Sequence, residues 1–298
     1  MSVVMKGPPP MEQRLKTRAL DFVRSALWDI WPWQQLVKAT VAGKSLSSAY
    51  TKFIPNPYQF KKGTIRTSQR FGLNWELDIS QGNDWAVYFN IEEAPHQFLF
   101  SLANSGDTVL DIGANIGATC LPLAQRVGLR GHVVAFEPNP VIFARLERHK
   151  NLNNLGQLHI VPLALGCDVG FVELETPNDA NWGTTRVARK SDSRSGVKMC
   201  TLDDFLCDHP VERVDIIKID VEGFELNVLK GAVKTLQRYA PKLYVELNDE
   251  LLIRQGANAV AVVDHLQGLG YKITCVQSGS PISNHRLENC AMDIYACK

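Results

Sequence analysis

Val109-Leu110-Asp111-Ile112-Gly113-Ala114-Asn115-Ile116-Gly117 is the stretch that decides the fold. The apolar run Thr108–Ile112 reads as a strand buried on both faces, and the periodicity predicts a helix over 116–127. Two glycines between them permit a tight turn and close backbone approach. Their spacing is G-x-x-x-G, not the G-x-G-x-x-G that brings backbone amides to a pyrophosphate. The loop therefore suits a nucleotide-type cofactor without phosphates, lying over the carboxyl ends of the strands.

Outward from this point, strands and helices alternate. Strands are expected over His132–Phe136, 158–165, 214–219 and 243–247, closing with 271–276 and 292–296. Helices are expected over 141–151, 225–239 and 259–269, with 171–175 as a hairpin arm and 178–196 as a polar loop. Near-continuous Val/Ile/Leu strands between helices predict an α/β fold, a doubly wound, mostly parallel sheet with helices on both faces.

Upstream, apolar residues recur at steps of three and four from Met11 to Ile30, predicting an amphipathic helix that Pro32 ends or kinks. Trp28, Trp31 and Trp33 cluster there. Such a helix packs on its own domain, or lies on an anionic membrane or a partner through residues 11–38. Residues 43–63 read as loop or linker, 71–79 as one or two short strands, and 91–104 as a helix.

The 298 residues carry 32 Lys+Arg and 31 Asp+Glu, with 45% hydrophobic residues, which excludes a disordered chain and a nucleic-acid coat acting through charge alone. The near-zero sum hides a split. Residues 1–75 hold 12 basic against 3 acidic residues, a net of +9, and the remainder holds 20 against 28, a net of −8. This asymmetry predicts a basic N-terminal extension over 1–75 and a main domain over 76–298. Seven cysteines without C-x-x-C spacing do not suit zinc, and reduced thiols with no readable signal peptide or membrane span predict a cytoplasmic protein.

Two further features carry chemistry. Glu137 ends the strand His132–Phe136, 24 residues past Gly113, where a carboxylate can accept hydrogen bonds from both hydroxyls of a ribose. Lys218-Ile219-Asp220-Val221-Glu222-Gly223-Phe224-Glu225 lies at the carboxyl end of a later strand, where the reacting part of a ligand sits. Its carboxylates are held apart by hydrogen bonds, by Lys218 or by a cation.

In order along 90–296, these segments resemble the FkbM family of S-adenosylmethionine-dependent methyltransferases. The resemblance rests on Gly106-Asp107, DIGANIG (111–117), FEPNP (136–140), Asn151-Leu152, Thr201-Leu202-Asp203-Asp204, the segment 215–225, Gly231-Ala232 and Val245-Glu246. It implies a class I, Rossmann-type methyltransferase. Asp111, Gly113, Ala114, Asn115 and Gly117 would hold the methionine and sulfonium part of S-adenosylmethionine, and Glu137 the ribose. Asn139 and the segment after Leu163 would border the adenine. Asn181, Trp182 and Gly183 stand where similar proteins carry an Asn-x-Gly element, and the Trp departs from that pattern. The implied chemistry is O-methylation of a hydroxyl on a sugar, polysaccharide or secondary metabolite.

A hydroxyl nucleophile must lose its proton, and Asp220, Glu222 or Glu246 is the candidate base. The alternative is a divalent cation such as magnesium on the same carboxylates; no residue is assigned to a metal. The competing functions are a nicotinamide dehydrogenase, against which the missing G-x-G-x-x-G counts, a catalytically silent binding protein of the same fold, and a nucleic-acid methyltransferase gripping phosphates with the basic leader. The oligomeric state and the acceptor itself are not encoded in any of these motifs.

Overall fold

A computed structural model describes residues 21–22, 24, 28, 30–46, 48–91, 94–176, 182–190, 196–282 and 287–298. They fall into two compact units, the first formed by described residues up to 94 together with 182–183, and the second by residues 95–176 and 184–298.

In the first unit, helix Trp31–Val41 is followed by 3-10 turns Ala49–Phe53 and Pro57–Gln59. An antiparallel hairpin, β1 (Ile65–Arg70) and β2 (Leu73–Asp78), and helix Gly82–Tyr88 complete it. Pro32, expected to end or kink a helix over 11–30, instead stands in the first turn of Trp31–Val41. That position suits proline because the first-turn amides have no intrahelical acceptor to lose. Most of 11–30 lies outside the described residues. The hairpin turns on Phe71 and Gly72, both at positive φ (56° and 74°), the two-residue geometry that matches strand twist. Leu73, Trp75 and Leu77 alternate inward along β2. The stretch 43–63 is no linker: Ile54 is buried and the Pro55 carbonyl accepts from Trp85 Nε1 at 2.7 Å. Trp28 is buried edge-on against Phe60 and Phe89. The compositional break at 75/76 lies inside β2.

The second unit opens with helix Ala94–Leu102, from its second residue on, and strands β3 (Thr108–Ile112), β4 (His132–Phe136) and β5 (Leu158–Val161). Short strands β6 (Ala164–Leu165), β7 (Gly170–Glu175), β8 (Arg186–Lys190) and β9 (Val197–Cys200) follow. The chain closes through β10 (Ile216–Ile219), β11 (Lys242–Asn248), β12 (Lys272–Cys275) and β13 (Ala291–Cys297). The main sheet has the order β5-β4-β3-β10-β11-β13-β12, parallel except for β13. Order reverses between β3 and β10, so their carboxyl ends form the switch-point crevice of a doubly wound sheet. The α/β expectation holds.

Several boundaries differ from expectation, and the helix expected over 116–127 begins at Cys120. The run 158–165 splits at Pro162, which has no amide for a ladder, and β5 and β6 join different sheets. Strands β6 to β9 form a separate four-stranded sheet in the order β6-β9-β7-β8, so part of the expected loop 178–196 is strand. The helix over 225–239 is two helices, Glu225–Lys230 and Val233–Tyr239. Asp203 supplies the second with its cap, its carboxylate accepting from the amides of Lys234 (2.9 Å) and Thr235 (2.8 Å).

Candidate functional site

Parallel register explains how the charged residues meet. Asp111 on β3 is the register partner of Lys218 on β10, and partners in one row point to one face. Lys218 Nζ lies 3.1 Å from Asp111 Oδ1 and 3.4 Å from Asp220 Oδ2, and donates to the Gly113 carbonyl at 2.7 Å. One buried ammonium thus ties the glycine loop to the carboxyl end of β10. Burial opposes its charge, but Asp111 and Asp220 outweigh it and hold the Lys218 pKa above its ordinary value.

The loop is built for close approach. At Gly113 φ is +84°, and a Cβ there would stand 1.8 Å from the Asp220 carbonyl oxygen. Every amide from 113 to 117 is already engaged. Gly113 and Ala114 donate to the Phe136 carbonyl, Asn115 to Glu137 Oε2 (2.9 Å), Ile116 to Asn115 Oδ1, and Gly117 to the Ala114 carbonyl. No fan of free amides remains for a pyrophosphate, in agreement with the G-x-x-x-G spacing. Thr119 Oγ1 donates to Asp111 Oδ2, and buried His149 binds the Ile116 carbonyl at 2.9 Å through Nδ1, holding the loop from behind.

Glu137 projects from the carboxyl end of β4 and is buried. Its two oxygens accept from the amides of Asn115 and Asn139 (2.8 Å). Burial raises its pKa to about 7 despite these bonds. Each carboxylate oxygen has a second lone pair, so it can still accept from a ligand hydroxyl. The Asn139 side chain acts locally. Its Oδ1 accepts from Val141 and Ile142 amides at the start of helix Pro140–Leu152, with Pro140 in the first turn.

Asp220, one step past β10, keeps 27% of its side chain exposed, against 0% for Asp111 and 3% for Lys218. Burial pushes its pKa up, but Lys218 and a hydrogen bond with Glu246 reverse that and bring it to about 2. Glu246, on the next strand β11, moves the other way: burial and the adjacent Asp220 charge hold its pKa well above the carboxylate range. The opposite shifts favour a shared arrangement in which Asp220 is ionised and Glu246 tends to keep its proton and donate it to Asp220. Glu222 is buried at φ 55° and adds a further negative field to Glu246. Glu225 turns back on its own helix start, its Oε1 accepting from the amides of Val221 and Gly223, and burial raises its pKa to about 7.

The switch-point crevice thus gathers Asp111, Gly113 to Gly117, Glu137, Asp220 and Glu246. Asn139 joins it through its amide, its side chain serving the helix. His96 was not among the residues expected from motifs: on helix Ala94–Leu102, its charge lowers the Asp220 pKa. It precedes every motif, and only the folded chain brings it near. Asn181 lies outside the described residues, and Trp182–Thr184 is a 3-10 turn. Among the described residues, no three His, Cys, Asp or Glu side chains are grouped to hold a metal ion, and no helix is long and apolar enough to cross a membrane.

The donor set fits S-adenosylmethionine. Carboxylates predominate around one glycine loop whose amides are not left free for phosphate, which suits a cationic, phosphate-free nucleoside.

Comparison with known proteins agrees. The hexuronic acid methyltransferase AglP of Haloferax volcanii is 31% identical over 166 residues, 55% of this chain and 62% of that protein. The 2-O-methyltransferase NoeI of Sinorhizobium fredii is 27% identical over 188 residues, 57% of this chain and 76% of its own. A solved FkbM methyltransferase from Methylobacillus flagellatus aligns over 92% of this chain and 62% of its own, at 17% identity and a TM-score of 0.44. The family profile described as "Methyltransferase FkbM domain" matches residues 111–273, more than half of the chain and the whole span from the glycine loop to β12. The chain belongs to the FkbM methyltransferase family.

Proposed function

We propose that the protein transfers a methyl group from S-adenosylmethionine to a hydroxyl of a carbohydrate or other small molecule. The observation that carries the reading is the Asp220–Glu246 pair: a partly exposed carboxylate at the switch point, held by a buried lysine and hydrogen-bonded to a neighbour whose pKa burial raises. AglP and NoeI, named for hexuronic acid and 2-O methylation, point to the same acceptor class.

S-adenosylmethionine, when bound, supplies an electrophilic methyl group on a sulfonium. The chain supplies alignment and electrostatics. Asp111, Gly113, Ala114, Asn115 and Gly117 form the loop that would face its amino-acid part, and Glu137 would accept from its ribose. Asp220 accepts a hydrogen bond from the acceptor hydroxyl and takes its proton as the oxygen becomes acidic on gaining a methyl group. A base with a pKa of about 2 is adequate for that late transfer. Lys218 keeps Asp220 ionised, and Glu246 fixes its orientation. Glu222 adds negative field and is the less direct of the three candidate carboxylates. No step calls for a metal.

Calorimetric titration with S-adenosylmethionine tests the cofactor half. Gly113→Val and Glu137→Ala, each titrated at a temperature where the variant is folded, should each weaken binding at least tenfold. Unchanged affinity in both variants overturns the assignment.

A further inference from the structure

The first unit carries a surface that the methyltransferase reading does not use. Helix Trp31–Val41 and the 3-10 turn Ala49–Phe53 enclose a groove of about 160 Å³ lined by Trp33, Leu36, Val37, Tyr50 and Phe53. Leu36, Tyr50 and Phe53 stay 59%, 50% and 54% exposed along it. Its threonine, Thr40, spends its hydroxyl on the Leu36 carbonyl at 2.7 Å, so the groove offers little to water. Two or more large apolar side chains exposed side by side mark a contact surface more often than scattered single ones do.

Charge selects the occupant. From Ile30 to Trp75 the sequence has five Lys and two Arg and no acidic residue. Lys44 stands with its ammonium 5.9 Å from the Tyr50 ring, Lys52 adjoins Phe53, and both are exposed. Lysines at the rim of a projecting aliphatic and aromatic face suit an anionic lipid surface: apolar side chains enter the acyl boundary and ammonium groups meet the headgroups. Nucleic acid would use the charge but leave Leu36 and Phe53 in water.

We infer that the Trp31–Phe53 face docks this protein on anionic membranes as a peripheral contact. Trp28, buried against Phe60 and Phe89, belongs to the unit's own core and takes no part. The inference does not depend on the acceptor reading.

The test is sedimentation of the full chain with vesicles of phosphatidylcholine alone or with phosphatidylserine at about 30%. Wild type should bind the anionic vesicles at least tenfold more tightly, with affinity falling as salt rises. The pair Lys44→Gln and Lys52→Gln should weaken binding about 25-fold, at about fivefold per lysine. Leu36→Ser with Phe53→Ser should weaken it at least tenfold. Both double variants should keep wild-type melting and S-adenosylmethionine binding. Equal binding to both vesicle types, or undiminished binding in the lysine variant, overturns the inference. So does self-association that the Leu36/Phe53 variant abolishes while no vesicle pellets the protein.

Discussion

Lys218→Met removes the one ammonium that links Asp111, Asp220 and the Gly113 carbonyl while keeping reach and approximate volume. The lysine side chain is 3% exposed, and its partners lie at 3.1, 3.4 and 2.7 Å. Taking one partner from a buried ion cluster costs about 3–5 kcal/mol, because the remaining charges lose their compensation. The folded variant can recover part of this by binding a proton, so its loss should depend on pH. In wild type, Asp220 with a pKa near 2 is ionised in both folded and unfolded states above about pH 5 and adds no slope there. In the variant, Asp220 loses the charge that offsets its burial, so its folded pKa rises above its unfolded value. The folded state then binds more protons, and stability falls as pH rises through that window. Between pH 5.5 and 8, one such proton is worth up to about 3.4 kcal/mol. Urea denaturation of wild type and variant at these two pH values reads the difference directly. Glu225 titrates in both proteins and cancels, whereas Glu137, whose pKa Lys218 lowers, moves further up in the variant and adds to the slope in the same direction. A destabilisation below about 1 kcal/mol, or one equal at both pH values, would refute the view that Lys218 neutralises this site.

Other expectations follow from neighbouring groups. Glu225 has a folded pKa of about 7 against 4.5, so the folded state binds the extra proton between those values and loses stability as pH rises. Glu225→Gln should therefore gain up to about 3 kcal/mol at pH 8 and almost nothing at pH 4.5 by urea unfolding; a pH-independent difference contradicts this. Glu137, raised to about 7, must be ionised to accept two ribose hydroxyls, so S-adenosylmethionine should bind about tenfold more weakly at pH 6 than at pH 8. A flat calorimetric profile would remove Glu137 from that role. Gly113→Ala places a methyl group 1.8 Å from the Asp220 carbonyl at positive φ and should cost about 3 kcal/mol, read by chemical denaturation; a loss under about 0.5 kcal/mol would mean that the strand ends are free to part.

Much of this site could be read before any coordinates. The apolar runs of β3, β4, β10 and β11 fix a parallel sheet, because strands covered on both faces cannot alternate with polar residues. Gly113 and Glu137 mark the switch point by spacing alone. The Asp111–Lys218 pair follows once β3 and β10 are neighbours, since register sets their rows. Other features had no local signal. Phe71 at positive φ is not a recognised turn residue, so the β1–β2 hairpin was visible only in part. Strands β8 and β9 are short and bear Lys and Arg, so their pattern blends with loop, whereas β7 matches the hairpin arm expected over 171–175. Asp203 caps a helix 30 residues downstream, and His96 reaches Asp220 from a helix before the first motif. Both are products of tertiary structure, as is the opposite titration of Asp220 and Glu246, which depends on one lysine and the order of three strands.

The most direct measurement is transfer of label from methyl-labelled S-adenosylmethionine to a panel of hexuronic acids, hexoses and polysaccharides, followed by mild alkali. The account predicts label on a hydroxyl as an ether, which alkali leaves in place, and loss of transfer in Asp220→Asn with cofactor binding retained. Label released by alkali as a carboxyl ester, or transfer undiminished in Asp220→Asn, would contradict it.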